Sequence, residues 1–272
     1  MKKIVCFCIL VHILLNGQVV YAENSLSYKI DMLNWNEVNQ LMPKYTKFTV
    51  IDVETGKKFK VQRRAGSHHA DVQPLTSQDT KIMKKIYGGK WSWKRRAILI
   101  IHKNQRIAAS MHGMPHGAGA LKNNFPGHFC IHFFGSTTHR TNSMDLSHML
   151  MVLKAAGKLD DYFGKANPYQ VVNAYIAGMK QQDSSIMFQT SLQKLKWKPI
   201  LEKVENVALS RMEQFPPEDL TDEISLEIPI VVDWYIKGKG RQTFRGTIHL
   251  VRFSPVDAWK VDSFDFLQGN GF

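Results

Sequence analysis

The 272-residue sequence predicts a β-rich domain with a few helices, followed by a C-terminal α+β domain. Runs of β-branched and aromatic residues, separated by turn residues, dominate residues 46–160 and indicate strands and hairpins. The pattern changes near residues 158–167, where helical periodicity comes first and a long antiparallel sheet is predicted after it. We therefore place the first domain at residues 46–160 and the second at residues 165–272.

The first 22 residues have the organisation of a secretory signal peptide. Lys2 and Lys3 form a basic start, residues 4–15 are almost entirely apolar, and small residues then stand at the cleavage position. The apolar run is too short for a comfortable transmembrane span, and no later segment is apolar enough to cross a bilayer. We expect a secreted or cell-wall-associated protein in which residues 23–45 form a leader, with an uncleaved membrane anchor as the alternative.

The elements of the leader and of the first domain are predicted from hydrophobic periodicity and from turn residues. The leader contains a short helix at 36–42. In the first domain, hairpins are predicted at residues 47–62 and 96–111 and a strand at 128–134. One helix is predicted to end at Ile86, with Thr76 or Ser77 as its cap, and another to cover 144–156, with Asn142 or Ser143 as its cap.

The second domain begins with a helix at Asn167-Pro168, because proline favours the first turn of a helix. The hydrophobic core of this domain is expected to include Trp259 and Phe264. A short helix at 184–192 is predicted next, and then strands at 204–212, 224–236, 243–253 and 259–266.

The formal net charge of +13 restricts the partners of the protein. Loss of Lys2 and Lys3 with the signal peptide lowers this charge to +11, which still attracts the chain to anionic surfaces. The basic residues are scattered and form no nucleic-acid motif, so we expect an anionic cell wall as partner and not a nucleic acid.

Cleavage of the signal peptide would also leave a single cysteine, Cys130, because Cys6 and Cys8 precede the cleavage position. A single cysteine cannot form an internal disulfide, and in an exported protein it indicates a reactive thiol, an inert buried cysteine being the alternative. Strand alternation places His128, Cys130 and His132 on one face, opposite the apolar residues between them. This arrangement favours a functional cysteine between two imidazoles.

Two further histidines, His112 and His116, follow the end of the preceding strand. An imidazole beside a thiol can lower the thiol pKa or take its proton. The His112-Gly113 pair, the fourteen residues 113–126 and the following stretch Gly127-His-Phe-Cys-Ile-His132 resemble the catalytic motif of L,D-transpeptidases of the YkuD type. The departures from that motif are Gly127 for serine or threonine, Phe129 for glycine, and His132 for arginine or asparagine.

The resemblance implies cysteine acyl transfer on peptidoglycan stem peptides, as an L,D-transpeptidase or L,D-carboxypeptidase. It implies Cys130 as nucleophile and His112 as base, with the Gly113 carbonyl holding the imidazole tautomer and His128 on the oxyanion side. No cofactor is implied. Substrate contacts are expected from His132, His116 and Arg140.

Two alternatives remain open at this stage. His69, Asp71, His128 and His132 could bind zinc or copper, because imidazole and thiolate suit those metals. The chain could also be a wall-binding protein on a degenerate transpeptidase fold. The second domain resembles the nuclear-transport-factor-like α+β cone, which implies an accessory role.

Overall fold

The computed structural model describes residues 29–138, 143–216 and 220–272. The predicted signal peptide (residues 1–22), residues 23–28 of the predicted leader, and Arg140 lie outside these ranges. Among the helices that the structure describes, none combines the length and apolarity needed to cross a bilayer.

The first part of the chain is a closed antiparallel barrel of six strands, which confirms its β-rich character. Around the barrel the strand order is β6-β5-β2-β3-β4-β7, and the β6–β7 pairing closes the circle. Closure leaves the barrel strands without open edges, and a short parallel strand, β1, adds to the side of β6. The strands are β1 Ile30–Asp31, β2 Lys47–Asp52, β3 Lys58–Ala65, β4 Ala70–Pro74, β5 Arg95–His102, β6 Gln105–His112 and β7 Phe129–His132.

Alternating apolar residues build the barrel core. On β7, Phe129, Ile131 and the following Phe133 are buried in this core. Because strand side chains alternate, the opposite face of β7 carries the histidines and the cysteine. The predicted division of this segment into an apolar face and a polar face is therefore what the structure shows.

Three helices accompany the barrel: α1 Trp35–Leu41, α2 Ser77–Ile86 and α3 Leu146–Ala155. Thr76 caps α2 in a reciprocal capping box with Asp79. Asp145 caps α3 by accepting a hydrogen bond from the His148 backbone N–H, where Asn142 or Ser143 was predicted. The start of α3 therefore differs from the predicted start at residue 144, because the Asp145 carboxylate satisfies the first turn.

The second part of the chain contains helices followed by a curled antiparallel sheet of four strands, in the order β11-β10-β9-β8. The α+β character is confirmed at this level. The elements are α4 Leu159–Phe163, α5 Pro168–Gln181, α6 Ser184–Thr190, α7 Trp197–Leu201, β8 Val204–Met212, β9 Ser225–Ile236, β10 Gly240–Val251, β11 Lys260–Val261 and α8 Ser263–Gly269.

The last predicted strand, at residues 259–266, was wrong beyond Val261. Asp262 accepts hydrogen bonds from the backbone of Phe264 and Asp265, which starts α8 in place of a longer strand. Trp259 is buried as expected, whereas Phe264 is largely exposed on the new helix.

Helix α3 lies between the barrel and the second part of the chain. Its apolar residues belong to the same core cluster as Ala97 on β5, Ala108 on β6 and the buried face of α5. This continuous core runs across the predicted boundary at residues 160–165, so the division into two domains stays a prediction. The position of α3 also covers the polar face of β7.

Candidate active site

The thiol of Cys130 is the centre of a buried polar cluster on the face of β7 that points away from the barrel core. Cys130 is only 4% exposed. Strand register places it directly opposite Asp71 on β4, and its Sγ lies 3.6 Å from Asp71 Oδ1. The pairing of two strands therefore joins a carboxylate and a thiol that are far apart in sequence.

His116 provides the imidazole nearest to the thiol, with Nε2 at 3.4 Å from the Cys130 Sγ. The loop after β6 folds back so that His116 and His128 exchange backbone hydrogen bonds of 3.0 and 2.9 Å. Gly127 permits this close approach, because it has a φ of +124° and a Cβ there would lie 2.5 Å from the His116 carbonyl oxygen. The departure from the transpeptidase motif at Gly127 thus has a local structural reason.

The motif spacing predicted His112 as the base, and the structure places a His112 ring nitrogen within 4.8 Å of the Cys130 sulfur, against 3.4 Å for His116 Nε2. The ring of His112 lies between those of Trp93 and His116, with centroid distances of 4.7 and 5.2 Å. His112 is 3% exposed, and its Nδ1 has no hydrogen-bond partner among the residues described. Burial, together with the neighbouring His116, lowers the pKa of His112 well below its ordinary value, so the ring is neutral.

The tautomer of His116 is held by a carbonyl two residues before it. His116 Nδ1 donates to the Met114 carbonyl at 3.2 Å, since a carbonyl only accepts, so the Nε2 lone pair faces Cys130, whose thiol donates its hydrogen bond to Asp71 Oδ1. This role was predicted for the Gly113 carbonyl acting on His112. Gly113 instead donates its N–H to the Ser92 carbonyl, and its missing side chain makes room for the ring of Tyr87.

His69 and His128 are oriented in the same way. Their Nδ1 atoms donate to the carbonyls of Thr137 at 2.8 Å and Ala118 at 3.1 Å. Their Nε2 atoms both face Asp71 Oδ1, at 3.4 and 3.8 Å. The oxyanion role of His128 stays a prediction.

Three parallel imidazoles form the floor of the cluster. His132 stacks between His69 and His148, with centroid distances of 4.3 and 3.8 Å and interplanar angles of 16° and 8°. His148 Nδ1 lies 2.9 Å from Ser110 Oγ. His132 was predicted to contact substrate, but it is 4% exposed and covered on both ring faces. His148, on α3, was not predicted as part of the site.

Electrostatics keep the thiol protonated. Burial raises the pKa of Cys130 strongly, and the negative charge of Asp71 raises it further. Burial likewise depresses the pKa of His148, and its neighbours His132 and Arg95 add to the effect. The resting site therefore combines a thiol with at least two neutral imidazoles, and nucleophilic attack requires proton removal during the reaction.

Trp93 marks the outer rim of the cluster. It is 49% exposed and lies over His112 and His116, the latter at a centroid distance of 5.5 Å. Beside it, Arg95 pairs with Asp145 at 2.8 Å. A cleft of about 380 Å³ begins at Trp93 and extends to α5 and β8, with Lys94 and Lys180 among the residues that line it.

The fold and the cluster together define a closed antiparallel β-barrel with a buried cysteine, histidines and an aspartate beneath a helix. No family model, no curated protein and no solved structure matches this chain. The likeness to L,D-transpeptidases therefore remains a prediction from the motif.

Proposed function

We propose that the protein is an exported cysteine-dependent acyl transferase of the L,D-transpeptidase or L,D-carboxypeptidase type. In this proposal Cys130 is the nucleophile and His116, in place of His112, is the general base. The observation that carries the proposal is the 3.4 Å contact between Cys130 Sγ and His116 Nε2. The Met114 carbonyl supports it, because a base oriented by a third group is the arrangement that activates a nucleophile.

The chemistry follows from the protonation states. As sulfur attacks the acyl carbonyl carbon, His116 Nε2 takes the thiol proton. The bond between the carbonyl carbon and the leaving amine breaks, and the imidazolium gives that proton to the amine, which leaves a thioester on Cys130. An incoming amine or water then attacks the thioester and loses a proton to His116, which returns it to the departing sulfur.

The substrate class rests on the motif resemblance, which implies peptidoglycan stem peptides and, as the wider partner, the anionic cell wall. Two further features support an acidic substrate: the formal charge of +13 and the positions of Lys94 and Lys180 in the cleft beside Trp93. A stem-peptide carboxylate bound there would approach the cluster from the His116 side. Because the thiol is 4% exposed, acylation requires Trp93 and the loop of residues 113–127 to move aside.

The test is the intact mass of the metal-free protein after incubation with a carbapenem, which imitates the acyl donor of L,D-transpeptidases. We expect one adduct on the wild type and none on Cys130→Ala, with circular dichroism confirming that both are folded. Absence of an adduct on the folded wild type would contradict the proposal.

A further inference from the structure

We propose that His69, Asp71, His128 and Cys130 form a site for one tetrahedrally coordinated divalent cation of the zinc class. The ligand atoms would be the Nε2 atoms of the two histidines, Oδ1 of Asp71 and Sγ of Cys130. The acyl-transfer proposal is not a premise of this inference, because the site follows from the placement of four side chains. The two functions share only the sulfur atom.

The four residues form two pairs of alternating positions on neighbouring strands. His69 and Asp71 flank the start of β4, and His128 and Cys130 flank the start of β7. Alternation points both members of each pair to the same face of the sheet. The register pairs Asp71 directly with Cys130, so the two short side chains lie in the middle and the two long imidazoles reach towards them from either side.

Hydrogen bonds orient both imidazoles as metal ligands require. A ligating histidine almost always donates its other ring N–H to a carbonyl or carboxylate, which fixes the tautomer and the ring orientation. His69 donates to the Thr137 carbonyl and His128 to the Ala118 carbonyl. In each case the nitrogen left with a lone pair is the one that faces Asp71.

Three distances, all measured from Asp71 Oδ1, approach the edge length of a coordination tetrahedron. Bonds of 2.0–2.3 Å to zinc place neighbouring ligand atoms about 3.3–3.6 Å apart. From Asp71 Oδ1 the distances are 3.4 Å to His69 Nε2, 3.6 Å to Cys130 Sγ and 3.8 Å to His128 Nε2. The ligand atoms of His69 and Cys130 also lie within 4.8 Å of each other.

Charge balance favours a divalent ion. A Cys130 thiolate and the Asp71 carboxylate supply two negative charges, and two neutral imidazoles supply none, so a dication makes the site neutral. A bound cation also favours the thiolate and releases its proton on binding. Ligand nitrogens of His69 and His132 lie within 4.8 Å of the same sulfur, and so do those of a second grouping, His112 and His116. The orientation of His69 and His128 towards Asp71 favours the four proposed ligands.

Titration of the metal-free full chain with Co²⁺, followed by competition with Zn²⁺, tests the site. We expect one equivalent of Co²⁺ with intense tetrahedral d–d absorption and a thiolate-to-cobalt charge-transfer band, both removed by Zn²⁺. His69→Gln and Asp71→Asn should each weaken binding at least tenfold, and Cys130→Ser should abolish the charge-transfer band. His112→Gln separates the two groupings and should keep the affinity of the wild type, because His112 is not one of the four proposed ligands.

Failure of the folded wild type to bind one equivalent, or the weak absorption of octahedral Co²⁺, would overturn the proposal. So would loss of binding in His112→Gln combined with unchanged binding in His69→Gln, because that result places the ion on the second grouping. The wild-type spectrum is decisive by itself if a variant does not fold. Carbapenem adduct formation is measured without metal, so its outcome is separate from this one.

Discussion

The carboxylate of Asp71 and the thiol of Cys130 lie 3.6 Å apart on neighbouring strands, and this contact governs the reactivity of the sulfur. A carboxylate beside a buried thiol disfavours the thiolate, and both effects raise the pKa of Cys130. The thiol can therefore react only when His116 removes its proton or a cation replaces it.

Removal of the Asp71 charge is expected to make the thiol more reactive. Asp71→Asn keeps the shape of the side chain but removes the negative charge, so the pKa of Cys130 should fall and alkylation by iodoacetamide at pH 8 should accelerate several-fold. The rate is measured by mass spectrometry on metal-free protein. Asp257→Asn, an exposed carboxylate, is the control and should leave the rate unchanged. Equal rates in the Asp71 variant and the wild type would show that burial alone protects the thiol.

The two candidate bases are separated by kinetics. His116→Gln should slow acylation of Cys130 by a carbapenem about 10²–10⁴-fold, which is the usual contribution of a general base. His112→Gln should retain a rate within about tenfold of the wild type, because His116 Nε2, at 3.4 Å, is the nitrogen in hydrogen-bonding contact with the sulfur. Stopped-flow fluorescence or timed mass spectrometry gives both rates. The reverse order of effects would restore the base that the motif spacing predicted.

Local patterns predicted the faces of β7 and the Thr76 cap, because alternation and capping depend on neighbours in sequence. The identity of the base was not accessible in this way. The identity of the base depends on the path of the loop of residues 113–127, which brings His116 next to His128. The motif spacing gives only the number of residues in this loop and not its path.

Two other members of the cluster are brought in by tertiary structure. His148 lies on α3, which packs over β5 and β6. In the sequence it is only one histidine within an apolar helical segment, which does not indicate a functional role. Asp71 was considered only as an alternative metal ligand, because nothing in the sequence relates β4 to β7. Barrel closure pairs β4 with β7, and the strand register places Asp71 opposite Cys130.

The buried pair of Asp52 and Arg96 is expected to be important for stability. Asp52 is fully buried and accepts two hydrogen bonds from the Arg96 guanidinium, at 2.6 and 2.8 Å. Asp52→Asn should lower the free energy of unfolding by about 3 kcal/mol, the lower end of the range for a broken buried pair, because Glu54 lies 3.1 Å from Arg96 and still compensates part of its charge. The control is Asp31→Asn, which breaks the exposed Lys29 pair and should cost about 0–1 kcal/mol. Urea denaturation monitored by tryptophan fluorescence measures both.

Acid should destabilise the fold through the buried histidine His148. Its pKa is far below the ordinary 6.5 in the folded protein, so the unfolded chain binds the proton more tightly. Neutral His148 makes its full contribution to stability above pH 6.5. This contribution is lost as the pH falls from 6.5 towards the lower pKa of the folded protein, by about 1.4 kcal/mol for each pH unit between the two pKa values. His148→Asn, which can keep a hydrogen bond to Ser110, should reduce the slope of unfolding free energy against pH between 6.5 and 5. The matched control is His249→Asn, which changes a more exposed histidine on β10. An equal change of slope in both variants would show that His148 is not the source of the acid sensitivity.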